Sequence, residues 1–248
     1  MNGFYSECEV LEDTVIKRAA FHSNFEKLLF MSLINGNFEQ EIIEYYTALH
    51  RIGLQVAPIH DLKSDKGQYL LTQMYIPGIT LSVAISTAGK EYTQKEWCKP
   101  SIDICGTGDF FKELLCYIHQ SFLYSDYSID VNTQNFICSE TNGLVYIDLI
   151  PPLNRGKIKS ILDKYWNLNN KQYSLLLSYV SESKQIITMI YYWLRTLDCN
   201  QSQKERVFNQ MLAYVISILG VSRADSITHE IIQDDFFFSR ELLLMFRE

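Results

Sequence analysis

Glycine and proline are scarce in this chain, 11 and 5 of 248 residues, and no segment is low in complexity or repeats at a fixed period. Solenoids, propellers and long disordered tracts are thereby excluded, and the sequence reads as ordered throughout. No lysine- or arginine-rich run is present and the formal charge is -7, which argues against a duplex nucleic-acid surface, since such a surface needs a basic footprint to displace counterions. An acidic balance suits a basic partner or a small-molecule substrate. The six cysteines (Cys8, Cys98, Cys105, Cys116, Cys138, Cys199) show no CxxC spacing, so neither a zinc site nor a disulfide framework is indicated, and they read as reduced thiols. His22, His50, His60, His119 and His229 form no metal-ligand spacing. The longest apolar stretch, Met211 to Val221, falls short of the roughly 20 residues of a membrane span, and the opening Met1-Asn2-Gly3-Phe4-Tyr5 has no basic or apolar leader segment. The expectation is a cytoplasmic protein with no membrane span and no nucleic-acid partner, and an injected bacterial effector would have the same composition.

What is abundant is apolar bulk. Hydrophobic residues make up 47%, enough at this length for one large domain or two lobes sharing a cleft. Residues 7–18 hold two short β-favouring pieces around Glu12-Asp13, which predicts a hairpin. From Asn37 to Arg51, Ile42, Ile43, Tyr45, Tyr46 and Leu49 recur at helical spacing and Gly53 follows as a stop, predicting one helix after the hairpin. Gly67 to Ile76 is extended and apolar and ends at the turn dipeptide Pro77-Gly78, as expected of a last strand leading into a connector. Phe110, Phe111, Leu114, Leu115 and Ile118 then mark a helix over 109–123, with Thr107 or Asp109 as its N-cap. Phe136-Ile137-Cys138 and Leu144-Val145-Tyr146-Ile147 flank Glu140-Thr141-Asn142-Gly143, a strong hairpin signal. Beyond Pro151-Pro152 helices are expected near 157–167, 170–180, 183–197, 203–219 and 227–247. The predicted fold class is α+β, with a small antiparallel sheet and one helix in residues 1–77 and a mainly helical part in 78–248 that carries the hairpin segment 127–150.

Chemistry concentrates in that segment. Asp130 and Asn135, five apart, lead into the hairpin, and its second strand ends at Asp148. Phosphoryl transfer needs a carboxylate to orient the attacking hydroxyl and hard oxygen ligands to hold the magnesium that neutralises a triphosphate. The same residues could instead cap a loop and close a strand. Gly106-Thr107-Gly108-Asp109 lacks the Lys-Ser/Thr of a P-loop and reads as a loop entering a helix, and Tyr191-Tyr192-Trp193 and Phe236-Phe237-Phe238 read as core.

The order of Asp130, Asn135, hairpin and Asp148 resembles the catalytic loop and metal-binding aspartate of the aminoglycoside phosphotransferase and choline-kinase branch of the kinase-like superfamily, and more distantly protein kinases. Further stretches, over about residues 3–150, follow in the same order. Gly3-Phe4-Tyr5-Ser6 resembles a shortened phosphate-covering loop, and Val15-Ile16-Lys17 the strand whose lysine meets the phosphates. Leu49 to Pro58 resembles the link from helix to fourth strand, and Leu70 to Leu81 the linker between lobes. The resemblance implies a two-lobed protein-kinase-like fold that binds ATP and Mg. Asp130 would be catalytic, and Asn135 and Asp148 would be metal ligands. Lys17, Gly3, Ser6 and the backbone around Gln73, Met74 and Tyr75 would hold the nucleotide. Glu41 would pair with Lys17, with Glu44 and Glu39 as rivals. The implied activity is transfer of the γ-phosphate to a hydroxyl of a small molecule; a minimal protein kinase and a non-catalytic nucleotide-binding module are the alternatives. Three features depart from the pattern: Ser128 stands where the family has histidine, no glycine follows Asp148, and only two residues precede Gly3.

Overall fold

Two β-favouring segments that meet at Glu12-Asp13 form the first hairpin. β1 (Tyr5–Leu11) pairs antiparallel with β2 (Thr14–Ala20), and Glu12, at φ 51, takes the left-handed conformation that lets so tight a turn close. The computed structural model describes residues 5–94, 107–164, 168–233 and 235–246. β2 pairs in turn with β5 (Gln68–Met74), and β5 with β4 (Ile59–Asp65), giving a four-stranded antiparallel sheet in the order β1-β2-β5-β4.

Two helices, not the expected one, follow the hairpin. α1 (Asn24–Ile34) is capped by Ser23, whose hydroxyl accepts from the Glu26 N–H at 3.1 Å, and it stops at Asn35, which is left-handed at φ 45 and is followed by Gly36 at φ 78. α2 (Phe38–Arg51) starts from Asn37, whose side chain accepts from the Gln40 N–H, and buries Phe38, Ile42, Tyr45, Ala48 and Leu49 along one stripe.

A second sheet joins residues from both halves of the chain. β7 (Phe136–Ser139) and β8 (Gly143–Tyr146) make the expected hairpin; β3 (Gln55–Val56) adds to β8 in parallel and β6 (Ile79–Thr80) adds to β7 antiparallel. The connector passes over this hairpin so closely that a Cβ on Gly78 would lie 2.4 Å from the Cys138 carbonyl oxygen. Immediately after β6 comes α3 (Leu81–Gln94), a helix where the sequence reading has only a connector; Leu81, Ile85 and Ala88 are its buried face.

The remainder is helical: α4 (Gly108–Tyr124), α5 (Arg155–Lys164), α6 (Asn170–Val180), α7 (Glu182–Thr196), α8 (Gln201–Leu219), α9 (Val221–Gln233) and α10 (Phe237–Leu244). α7 is buried on nearly every side, as expected of a helix at the centre of a core. The single helix expected at 227–247 is two, because Phe236 and Phe238 turn inward between α9 and α10. There Phe238 stacks against Tyr191 and Tyr192 of α7. One contiguous apolar core runs from α1 to α10, and a smaller one gathers Ala57, Ile76 and Val145 beside Ile137 and Ile147. The architecture is α+β, an N-terminal antiparallel sheet followed by mostly helical structure. Among the described residues no helix is long and apolar enough to cross a membrane.

Candidate functional site

The two sheets face each other across a cavity of about 400 Å³. Strand alternation sends Cys8 and Val10 of β1, Val15 and Lys17 of β2, and Gln73 of β5 to the same side of the first sheet, where they form one wall. Met74, Tyr75 and Ile76 close the back, and Ile137 and Ile147 of the hairpin form the opposite wall. Asp130, Asn132, Gln134, Asn135 and Asp148 line the rest. Lys17, Asp130, Asn135 and Asp148, singled out from sequence, thus meet in one place. Lys17 is 5% exposed. Its ammonium lies 3.6 Å from the Asp148 carboxylate and donates to the Ile147 carbonyl at 2.5 Å.

The loop that carries Asp130 is held by residues far away in sequence. Ser128 donates its hydroxyl to the Tyr179 carbonyl on α6, and Gln185 of α7 donates to the Ile129 carbonyl. From α2 the Tyr45 hydroxyl donates to the Ser128 carbonyl at 2.9 Å, and the Tyr146 hydroxyl of β8 accepts from the Asp130 N–H at 3.4 Å. Arg155 anchors the loop's entry, donating to the Tyr127 carbonyl at 2.8 Å, to the Ser121 carbonyl at 3.0 Å and to the Ser125 carbonyl, so one guanidinium also caps α4. The short Ser128 hydroxyl thus ties the loop to α6 from a position that is fully buried. On the far side of the loop the Ile147 N–H donates to the Asn135 carbonyl at 2.9 Å, which sets Asn135 beside the end of β8 and hence near Asp148.

Burial is the largest influence on both carboxylates here. Desolvation, and next the nearby Asp148 carboxylate, push the Asp130 carboxyl up to about 6; the Asn132 N–H and the side chains of Tyr179 and Asn135 hold it lower than it would otherwise be. Burial also raises Asp148, with Lys17 and the Ile150 N–H pulling the other way. Tyr45, Tyr146 and Tyr179 are pushed well above their ordinary range by burial, so they stay neutral O–H groups at any working pH. Two carboxylates that resist ionisation side by side fit a divalent cation, which would favour the charged forms of both. Among the described residues no three His, Cys, Asp or Glu side chains cluster tightly enough to hold a metal by themselves. Asp148 and Asn135 could hold a magnesium ion only in company with phosphate oxygens and water, and that is how magnesium usually binds in proteins.

Other expected residues lie elsewhere. Glu41 does not meet Lys17. It shares the inward face of α2 with Tyr45 and takes Lys157 of α5 at 2.5 Å; the same ammonium donates to the Leu33 carbonyl at the end of α1. The rivals are also engaged, Glu39 with the Ser64 hydroxyl at 2.6 Å and Glu44 with the Tyr127 hydroxyl at 3.2 Å, so the acidic partner of Lys17 is Asp148. Ser6 sits within β1 opposite Ala19 rather than in a loop, because the strand begins at Tyr5, and Gly3 lies outside the described residues. The N–H groups of Met74 and Tyr75 already donate to the Pro58 and Asp13 carbonyls at 2.8 and 2.7 Å, so those amides have no donor left for a ligand. Asn132, Gln134, Tyr179 and Lys157 escape the sequence reading. The first two lie inside the motif and are visible there, whereas the contacts of Tyr179 and Lys157 depend on helix packing that no local pattern encodes. The chain matches no protein-family model and no curated protein.

Proposed function

We propose that this chain is an ATP- and Mg-dependent phosphotransferase that moves the γ-phosphate to a hydroxyl of a small molecule. The observation that carries the reading is the convergence of Lys17, Asp130, Asn135 and Asp148 on one cavity whose remaining lining is largely apolar. Its size suits a small ligand, and apolar side chains on facing walls suit a flat heterocycle. In this reading Lys17 gives the phosphates a fixed positive charge, and Asp148 and Asn135 hold the magnesium, which when bound neutralises phosphate charge. Asp130 receives or orients the proton of the acceptor hydroxyl, and its raised proton affinity suits a base working near neutral pH. Tyr179 and Asn135 keep that carboxylate aimed. The resemblance to the aminoglycoside phosphotransferase branch, with lobes at 1–77 and 78–248 joined by the connector, belongs to this proposal.

A nucleotide-binding module without turnover is the second reading, favoured by Glu41, which is bound to Lys157 instead of Lys17. The test is transfer of label from γ-labelled ATP with magnesium to a panel of hydroxyl-bearing small molecules, with a peptide library in parallel. Label is expected in small molecules, lowered on the order of 10² to 10⁴ in Asp130→Asn and nearly abolished in Asp148→Ala. Turnover of Asp148→Ala close to wild type would contradict the proposal. Labelled peptides would make the acceptor a protein, and binding without label in either pool would favour the module.

A further inference from the structure

We infer that the acceptor is a small hydroxyl compound carrying an anionic group, a carboxylate or a phosphate, which Arg195 of α7 binds while Asp130 takes the hydroxyl; this rests on the phosphotransferase reading above. With the phosphates at Lys17 and Asp148, in-line transfer brings the acceptor to Asp130 from the side away from the nucleotide. Two groups outside the cavity lining act on that carboxyl, Tyr179 of α6 and Tyr192 of α7. α7 runs along the Asp130 loop. Gln185 near its start donates to the Ile129 carbonyl, and Thr196 at its end places its hydroxyl 3.4 Å from that of Thr133. Two turns separate Gln185 from Tyr192 and one more leads to Thr196, so the three share one face, and Tyr192 is set at the level of Asp130 between the two contacts. Burial, and then Asp130 and Tyr191, push the Tyr192 hydroxyl above its ordinary range while Arg195 draws it back, so this hydroxyl feels both the carboxylate and the guanidinium.

The balance of charge around α7 says what such a group meets. Arg195 is exposed, donates to the Tyr191 hydroxyl at 3.3 Å and pairs with no carboxylate among the described residues. The acids on and around α7 are already matched: Glu182 with His119 and Arg223, Glu230 with Lys184, and Asp198 with Lys90. Asp148 is matched by Lys17. In a chain of formal charge -7, a positive charge is thus left over on the acceptor side of Asp130. It is also held in place, because Phe238 packs against the Tyr191 and Tyr192 rings at 5.3 and 5.9 Å and so fixes the hydroxyl on which the guanidinium rests. The planar fork of arginine suits the two oxygens of a carboxylate or phosphate, and the same charge repels an ammonium-bearing acceptor.

The test is transfer of label from γ-labelled ATP with magnesium, by the full chain, to three pools: hydroxy acids and sugar phosphates, glycerol and neutral sugars, and amino alcohols and aminoglycosides. Label is expected in the first pool, and its carboxylate and phosphate members tell the two anions apart. For the acceptor labelled, Arg195→Ala is expected to raise KM about 10- to 100-fold and to leave the KM for ATP unchanged. Arg195→Lys keeps the charge but not the fork and is expected to recover part of the loss. Label confined to the neutral or cationic pool, or an acceptor KM that Arg195→Ala does not move, overturns the inference and leaves the phosphotransferase reading standing. An equal rise in the KM for ATP would show a general disturbance of the fold and overturns it too. Absence of label from all three pools overturns both.

Discussion

Asp130 is a buried carboxyl with a second carboxylate nearby. Burial and the Asp148 charge raise its carboxyl from an ordinary 3.8 to about 6. A group whose folded value lies above its unfolded one contributes stability that is complete below the unfolded value and lost as pH rises through the folded one. The ligand-free protein should therefore lose up to about 3 kcal/mol from this group between about pH 4 and pH 7, and Asp148, shifted in the same direction, adds to the trend. Urea unfolding across that range is expected to show a steeper decline in the wild type than in Asp130→Asn, and parallel declines would contradict the assignment. Asp130, Asn135 and Asp148 are legible in sequence because one loop and one hairpin carry all three. What holds Asp130 is not legible. Tyr179 and Gln185 reach it from α6 and α7, and nothing near them in sequence marks a tyrosine or glutamine that will face a carboxylate or a loop carbonyl.

Helix ends and close approaches decide the rest of the architecture. α1 is announced by Ser23-x-x-Glu26 at its start and Asn35-Gly36 at its end, signals that outweigh its weak apolar periodicity. α3 is hidden because Pro77-Gly78 reads as the opening of a loop, yet only two strand residues separate that dipeptide from Leu81. The break between α9 and α10 has no glycine or proline to mark it and follows from the burial of Phe236 and Phe238 against α7. Two substitutions test this level. Gly78→Ala must push the connector off the Cys138 carbonyl and should cost about 1–3 kcal/mol, measured by chemical denaturation; a neutral result would mean that the connector can shift freely. Lys157→Met removes the partner of Glu41, whose second carboxylate oxygen already lacks a hydrogen bond, and should cost about 1–3 kcal/mol. Because that pair belongs to the α1–α2–α5 contact, nucleotide affinity should change little. A loss of ATP binding as large as the loss of stability would show that Glu41 does serve Lys17.

At the scale of the molecule, the α+β order of sheet, helices, hairpin and helices is readable from hydrophobic period and turn residues. The way the parts interlock is not. β3 comes before the connector in sequence yet pairs with β8, so the hairpin flanked by Asn135 and Asp148 is built on both parts of the chain, and the cavity forms only when both sheets are in place. That arrangement makes the cavity a property of the whole fold, and a ligand that enters it should stabilise the whole chain by mass action. The most direct measurement is a thermal unfolding titration of the purified protein with ATP, with and without magnesium, alongside Asp148→Ala. The account predicts a rise in Tm with ATP that grows with magnesium and is lost in the variant. An unfolding temperature that no nucleotide moves, or a magnesium-dependent rise that survives in Asp148→Ala, would contradict it.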